Sequence, residues 1–167
     1  MAFRTPCNES QQFLDIGCGP GNFTLNSILP SCEPCKRIVA VDSLISMIEY
    51  AQENCAHEKI VYDYLDIDND VSAFSKKYGA FQRVYSFKTL HWSKDLHRSL
   101  DNIAKLMTPG AIYQIANPLY SLLNDEERPA FVDTLSRHLN EWQDSYLERS
   151  GQNVFSAFLV HAVKPEE

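Results

Sequence analysis

Short apolar runs alternate with segments of helical periodicity along the first two thirds of the chain. The runs are apolar enough to be strands buried on both faces, as strands of parallel sheets are. They occupy residues 13–16, 37–42, 60–65, 81–87 and 111–116. Between them, apolar residues recur at helical spacing, which predicts helices at 22–29, 43–51, 71–78 and 96–107. This alternation predicts a doubly wound α/β domain with a mostly parallel sheet.

Cap and breaker residues set the expected ends of these helices. Asn22 and Ser43 are predicted N-caps of the first and second helices. Pro30 is expected to end the first helix, and residues 108–110 to end the fourth.

The pattern changes after Asn117. Residues 125–149 predict one long helix with a single apolar face. That face comprises Phe131, Leu135, Leu139, Trp142 and Tyr146. A last strand is expected at 154–163. No repeat or long linker divides the chain, so we predict a single domain over residues 1–167, with a core at 13–116 and an additional helix and strand in 117–167.

Composition narrows the classes of partner. The chain has 167 residues, of which 44% are hydrophobic and 22% charged, values typical of a globular protein with a core. Its net charge is −7 without a Lys/Arg run, which argues against a nucleic acid or an anionic membrane as partner. No apolar run approaches the roughly 20 residues of a membrane span. Five cysteines, an odd number, in a chain with no evident secretory signal predict reduced thiols and a cytoplasmic location.

A glycine turn follows the first predicted strand. Gly17, Gly19 and Gly21 occupy alternate positions, and Asp15 lies two places before the first of them. A strand, a glycine turn and a helix form the usual unit that brings backbone close to a nucleotide-like ligand. The dinucleotide fingerprint places its third glycine one position later, and a pyrophosphate has no use for a carboxylate at Asp15. The turn therefore favours a cationic nucleoside ligand, with a ligand-free βα turn as the alternative.

Two further strands end in carboxylates. Asp42 ends the second strand and can accept both hydroxyls of a ribose, or it can cap the next helix. Asp66 ends the third strand beside Ile67, where a carboxylate can accept from the amine of adenine and an aliphatic side chain can cover the ring. Asp68 and Asp70 compete for that role, and a solvated acidic loop is the alternative.

Residues 86–92 follow the fourth strand. Ser86 lies at its carboxyl end, and His91 and Trp92 are candidates to border an acceptor pocket. Core packing is the alternative, and His91 as a general base is the weaker hypothesis. Elsewhere, Cys32 and Cys35 form a C-x-x-C pair, which we interpret as a surface loop rather than a redox or metal site.

Taken together, these residues resemble the class I S-adenosylmethionine-dependent methyltransferases. Asp-Ile-Gly-Cys-Gly-Pro-Gly at 15–21 resembles the first motif of that family, Val-Ala-Val-Asp at 39–42 the second and Leu-Asp-Ile at 65–67 the third. Residues 106–111 resemble the element before the fifth strand. The resemblance implies a Rossmann-like fold, the cofactor S-adenosyl-L-methionine and a small-molecule acceptor, but assigns no catalytic residue and no metal site. Its implied cofactor-binding residues are Asp15, Gly17, Gly19, Gly21, Asp42, Ser43, Met47, Asp66, Ile67 and Ser86.

Within this class, residues 42–51 and 86–92 look most like juvenile hormone acid O-methyltransferases, which methylate the carboxylate of a farnesoid acid. Such an acceptor is already ionised at neutral pH and needs no strong base. Against the family pattern, the chain looks shortened before the first strand and before the last, where lid helices and a sixth strand are usual.

Residues 156–165 resemble the terminal antiparallel strand. The alternative function is a catalytically impaired S-adenosylmethionine-binding module, a fragment or splice form on the same fold. A nicotinamide-dependent oxidoreductase is disfavoured by the glycine spacing and by Asp15.

Overall fold

A computed structural model shows a six-stranded sheet in the order β3-β2-β1-β4-β5-β6, with every described pair of neighbours parallel. The structure describes residues 6–87, 89–116 and 155–159, together with seven helical positions between the last two ranges. Those positions are Asp133, Arg137, Asn140, Glu141, Asp144, Ser145 and Glu148. The predicted Rossmann-like α/β fold is confirmed.

The elements follow the predicted alternation of strand and helix. The strands are β1 (Gln12–Ile16), β2 (Arg37–Asp42), β3 (Ile60–Tyr64), β4 (Phe81–Phe87), β5 (Met107–Ala116) and β6 (Phe155–Leu159). The helices are α1 (Leu29–Cys32), α2 (Ile45–Asn54), α3 (Ser72–Tyr78) and α4 (Leu96–Leu106). A π-helical segment (Thr24–Ile28) precedes α1, and a 3₁₀ turn (Leu90–Trp92) follows β4.

Both faces of the sheet are covered by apolar side chains. All five residues of β1 are buried, and alternate residues of β1 contribute to two separate core clusters. Leu14 and Ile16 face the cluster that contains α4, whereas Phe13 faces the cluster that contains α1 and α2. Since β1 pairs with β2 on one side and β4 on the other, the strand order reverses at the carboxyl end of β1. Open α/β sheets bind ligands at such a switch point.

The prediction that Pro30 ends the first helix is wrong. Residues 22–32 are continuously helical, with a π-helical segment in which the Leu29 N–H donates to the Thr24 carbonyl. Pro30 therefore lies in the first turn of α1. The π-helical hydrogen bonds directly before Pro30 change the ladder in which its missing N–H would take part, so the helix continues past it to Cys32.

Neither predicted N-cap has the expected role. Asn22 lies inside the helix, because the Gly21 carbonyl already accepts from the Leu25 N–H at 3.0 Å. In α2 the cap position is Leu44 rather than Ser43, and the Leu44 carbonyl accepts from the Met47 N–H at 3.0 Å.

The last strand is parallel to β5, and the expectation of a terminal antiparallel strand is wrong. β6 pairs with β5 from Ala111 opposite Phe155 to Ile115 opposite Leu159. Parallel neighbours need a crossover connection, and helical residues lie between the two strands. Most of the predicted long helix at 125–149, its apolar face and the segment expected to lack a further strand lie outside the described residues.

Candidate functional site

A cleft of about 560 Å³ opens at the carboxyl ends of β1, β2 and β3 and beside the segment that follows β4. This size is ordinary for a small-ligand site. The sequence-predicted residues that line it are Gly17, Gly19, Asp42, Ser43, Met47, Asp66, Ile67 and Trp92. Asp15, Gly21, Ser86 and His91 are not among its lining residues.

Gly17 joins the glycine turn to both neighbouring strands. The N–H groups of Gly17 and Cys18 donate to the Val41 carbonyl at 2.7 and 2.9 Å, so the turn is held against the end of β2. Gly17 has φ +76°, and a Cβ atom there would lie 2.0 Å from Thr89 Oγ1. A side chain at this position would therefore displace the segment that follows β4.

Gly19 and Gly21 meet different surroundings. The Gly19 N–H donates to Asp42 Oδ2 at 2.9 Å, and a Cβ atom at Gly19 would meet nothing within 4 Å. Its backbone is therefore open to a ligand in the cleft. A Cβ atom at Gly21 would lie 2.8 Å from the Tyr62 hydroxyl and 2.9 Å from the Ala51 Cβ. Gly21 thus allows close packing against α2 and β3 rather than approach of a ligand.

Asp15 is buried beneath the turn. Its side chain accepts from the Thr24 hydroxyl at 2.6 Å and is only 2% exposed. Burial is the main cause that raises its pKa to about 7, the Asp42 charge adds to the rise, and the Thr24 hydrogen bond opposes it. Asp15 therefore lies beneath the glycine turn and outside the cleft lining.

Asp42 ends β2 and lines the cleft. One carboxylate oxygen accepts from Gly19, and the other accepts from the Leu44 N–H at 2.9 Å. These two bonds hold the carboxylate between the glycine turn and the start of α2. Ser43 and Met47 line the same side of the cleft.

The three aspartates after β3 have separate roles. Asp66 lines the cleft beside Ile67, and its carboxylate accepts from the Asp68 N–H at 3.0 Å and from Asn69 Nδ2 at 2.8 Å. Asp70 accepts from the hydroxyl and the N–H of Ser72 at the start of α3. Asp68 also lines the cleft, but its carboxylate accepts from the segment that follows Trp92. Asp66 and Asp68 thus both line the cleft with both carboxylate oxygens hydrogen-bonded, whereas Asp70 lies outside the lining, and Asp66 as the ligand-facing carboxylate stays a prediction.

The residues at and beyond the end of β4 separate into core and rim. Ser86 is fully buried, and its hydroxyl has no hydrogen-bond partner among the described residues. Trp92 stands at the rim of the cleft with 79% of its surface exposed. The ring of His91 stacks against Trp92 at a centroid distance of 4.9 Å, and His91 is exposed outside the cleft lining.

The Cys32 and Cys35 pair is buried, so the interpretation as a surface loop is wrong. Cys32 is fully buried with its Sγ 3.1 Å from the Tyr85 hydroxyl, and Cys35 is 3% exposed. Burial raises the pKa of Cys32 to about 12 and raises that of Cys35 as well. Because the thiolate is the reactive form, both residues are suited to packing rather than redox chemistry.

Several lining residues escaped the sequence analysis. They are Ile16, Leu44, Leu65, Thr89, Leu90 and Ser93, whereas Asp68 was named only as a competitor of Asp66. Leu44 is 56% exposed at the N-cap position of α2, where it lines the cleft. Thr89 and Leu90 lie in residues 86–92, the stretch that follows the fourth predicted strand. Their position after that strand, rather than their residue type, could have identified them as lining residues.

Two features are absent from the described part of the chain. No group of three or more His, Cys, Asp or Glu side chains there could hold a metal ion. No helix in that part is long and apolar enough to cross a membrane.

Comparison with known proteins gives consistent matches. The methyltransferase domain family matches residues 13–110. The juvenile hormone acid O-methyltransferase of Bombyx mori is 34% identical over 96 residues, which are 56% of this chain and 33% of that protein. The trans-aconitate 2-methyltransferase of Variovorax paradoxus is 24% identical over 115 residues, which are 69% of this chain and 41% of that protein.

A solved structure agrees with these matches. The carbon methyltransferase CurJ is 26% identical with a TM-score of 0.57, over 66% of this chain and 30% of that one. The chain thus spans well under half the length of each of these three proteins. Fold, cleft position and family match agree, and the chain belongs to the class I S-adenosylmethionine-dependent methyltransferase family.

Proposed function

We propose that this protein binds S-adenosylmethionine in the cleft and transfers its methyl group to the carboxylate of a small acid. The observation that carries the proposal is the floor of the cleft. There, the open backbone of Gly19 lies next to the Asp42 carboxylate, and Asp66 lines the same cavity from the next strand. This arrangement offers a backbone that a ligand can approach closely and two carboxylates for a cationic nucleoside.

The residues present fit this cofactor. Asp42 is held by two backbone N–H groups, so its remaining acceptor capacity has a fixed position for the ribose hydroxyls. Asp66 and Ile67 supply an acceptor and an apolar side chain for the adenine. A cation bound near the methionine end would favour the ionised form of the buried Asp15 carboxyl beneath the glycine turn, because an opposite charge nearby favours the charged form.

The bound cofactor supplies an activated methyl group on its sulfonium. The chain has to position an acceptor nearby and to exclude water. An ionised carboxylate needs no proton removed, and among the described residues no histidine, cysteine or lysine lines the cleft. Leu44, Leu90 and Trp92 supply apolar surface beside the carboxylates, which suits an acid with an apolar body.

The names of the relatives support this class of acceptor. Juvenile hormone acid and trans-aconitate are both carboxylic acids. The net charge of −7 disfavours a nucleic acid acceptor. A farnesoid or other lipophilic acid is our first choice, because the aspartates of the cleft would repel an acid with several charges. The cytoplasmic location stays a prediction from the cysteine count.

The proposal is tested first by binding. Titration calorimetry with S-adenosylmethionine should show micromolar affinity, and Asp42→Asn should weaken it by about tenfold or more, since hydrogen bonds to charged groups contribute about 1.5–3 kcal/mol. Glu49→Gln is the matched control, because it removes one negative charge at an exposed position of α2 outside the cleft lining. A folded wild-type protein that binds no S-adenosylmethionine would refute the proposal.

Turnover separates the enzyme from a binding module. The protein is incubated with labelled S-adenosylmethionine and a panel of acids that includes farnesoic acid, juvenile hormone acid and trans-aconitate. Ester formation with the lipophilic acids supports the proposed acceptor. Tight cofactor binding without an ester from any acid supports the alternative, a catalytically impaired binding module.

A further inference from the structure

Asp68 lies in the cleft but directs its carboxylate to the opposite wall. It follows the cofactor-side pair Asp66 and Ile67 along the chain. Its carboxylate accepts from the Ser93 hydroxyl at 2.6 Å, from the Lys94 N–H at 2.9 Å and from the Ser99 hydroxyl. These donors belong to the segment directly after Trp92 and to the first turns of α4.

The two serine donors lie side by side. Each hydroxyl donates its single proton to Asp68, and the two oxygens are 2.9 Å apart, so Asp68 joins the loop after β3 to the segment after Trp92 through both of them. Partial burial opposes ionisation of Asp68, but the bonds from Lys94, Ser93 and Ser99 outweigh it, and the pKa of this carboxyl is lowered. The carboxylate is therefore ionised near neutral pH, when its bonds to these donors are strongest.

A second contact holds the same loop from α4. The buried Asn102 side chain donates to the Ile67 carbonyl at 2.8 Å and to the Asn69 carbonyl at 2.7 Å. The loop that carries Asp66 and Ile67 is thus fixed to α4 on both sides of Asp68. It cannot move relative to the Trp92 segment without breaking these bonds.

We propose that Asp68 is a positioning residue that couples the nucleoside end of the cleft to the wall that carries Trp92. Through Ser93 and Ser99 it sets the distance between the Asp66–Ile67 loop and Trp92, so that binding of a nucleoside ligand is transmitted to Trp92. The inference rests on the proposed function, because it takes the Asp66 side of the cleft as the nucleoside site.

The chain offers a matched control in the same loop. Asp70→Asn removes the same charge two residues further on, but the Asp70 carboxylate accepts from Ser72 in α3 rather than from the Trp92 segment. The test variant is Asp68→Asn. The second test variant is Ser93→Ala, which removes a donor from the other wall at a half-exposed position and is expected to fold.

The experiment follows binding and Trp92 together. The protein has two tryptophans, so a Trp142→Phe parent leaves Trp92 as the single tryptophan emitter. Each variant in that parent is titrated with S-adenosylhomocysteine by calorimetry, and the Trp92 emission is recorded with and without saturating ligand. We expect Asp68→Asn to weaken binding by about tenfold, and Ser93→Ala less, as loss of a charge-assisted hydrogen bond implies.

The emission response distinguishes positioning from mere stabilisation. In the parent and in Asp70→Asn, saturating ligand should change the Trp92 emission, whereas in Asp68→Asn that change should be largely lost. An unchanged response at saturation in Asp68→Asn and Ser93→Ala overturns the inference, whatever their melting temperatures. If the parent binds the ligand and responds, and both variants behave like the parent, the inference is wrong and the proposed function stands. If the parent does not bind the ligand, the inference and the proposed function are both refuted.

Discussion

The floor and the rim of the cleft are built differently. On the floor, the backbone N–H groups of Gly17 and Gly19 and the carboxylate of Asp42 are all engaged in hydrogen bonds across two strands. At the rim, Leu44 is 56% exposed and Trp92 is 79% exposed. The floor therefore has its shape before any ligand binds, and the rim presents side chains whose surroundings are mostly solvent.

This difference separates two kinds of specificity. A pre-formed floor recognises the part of the ligand that is constant, which under our proposal is the cofactor. Exposed apolar side chains at the rim are suited to contact a variable acceptor. Substitutions on the floor should therefore alter stability and cofactor affinity, whereas those at the rim should alter acceptor use alone.

The largest expected effect is that of Gly17→Ala. Its Cβ atom would lie 2.0 Å from Thr89 Oγ1 at a φ of +76°. Left-handed backbone strain and overpacking together should lower the free energy of unfolding by about 3 kcal/mol or more. Urea denaturation measures this value.

Gly19→Ala provides the matched comparison on the same floor. Nothing lies within 4 Å of its Cβ position, so only the strain of a left-handed backbone at φ +54° remains. That strain should lower the free energy of unfolding by about 1–2 kcal/mol. It should instead weaken S-adenosylmethionine binding, because the new methyl group projects into the space assigned to the ligand. Equal losses of stability for Gly17→Ala and Gly19→Ala would show that the contact with Thr89 adds nothing to the destabilisation at Gly17.

A medium effect is expected from the buried carboxyl of Asp15. Its pKa is raised from 3.8 to about 7 by burial, so the folded state holds a proton more tightly than the unfolded state does. The stability that this group contributes is present below pH 4 and is lost as pH rises from about 4 to about 7, to a limit of about 4 kcal/mol. Asp15→Asn removes this titration and retains an acceptor for the Thr24 hydroxyl.

Denaturation from pH 4 to pH 8 tests this sign. The difference in unfolding free energy between Asp15→Asn and wild type should grow in favour of the variant as pH rises. Asp63, Asp68 and Asp70 have lowered pKa values, so they reduce the free energy of unfolding as the pH falls below about 4, which is opposite to the effect of Asp15. A difference that does not vary with pH would mean that Asp15 titrates normally.

The smallest effect on stability should come from the rim. Trp92→Ala removes a side chain that is 79% exposed, so the unfolding free energy should change by less than about 0.5 kcal/mol. Affinity for S-adenosylhomocysteine should change little, while KM for a lipophilic acid should rise. Tyr50→Ala, which removes an exposed aromatic residue on α2 outside the cleft lining, is the control. A large loss of stability would place Trp92 in the core instead.

Much of the cofactor half was predictable from local pattern. The predicted bounds of β2 and β4 agree with Arg37–Asp42 and Phe81–Phe87. β2 has a continuous apolar centre, and β4 begins and ends with Phe although Gln82 and Arg83 interrupt it. Asp42 and Asp66 line the cleft as strand-end carboxylates should, since parallel strands deliver their carboxyl ends to one edge.

The misses have physical causes that lie outside local pattern. Pro30 continues a helix because a π-helical segment changes the hydrogen bonds before it. The orientation of β6 depends on a crossover and not on its residues. Asp68 was read as a competitor for a ligand, because its donors Ser93 and Ser99 are 25 and 31 residues away in the chain.

The sequence by itself determined the class of fold, the family and the edge of the sheet at which the cleft lies. Periodicity, glycine spacing and strand-end carboxylates are properties of short stretches of chain, so they can be recognised in the sequence without knowledge of the fold. The tertiary structure alone decided which way each group in the glycine turn faces. Gly19 is open to the cleft, Gly21 packs against α2, and Asp15 is buried beneath them, because these outcomes depend on neighbours that the chain brings together only when it folds.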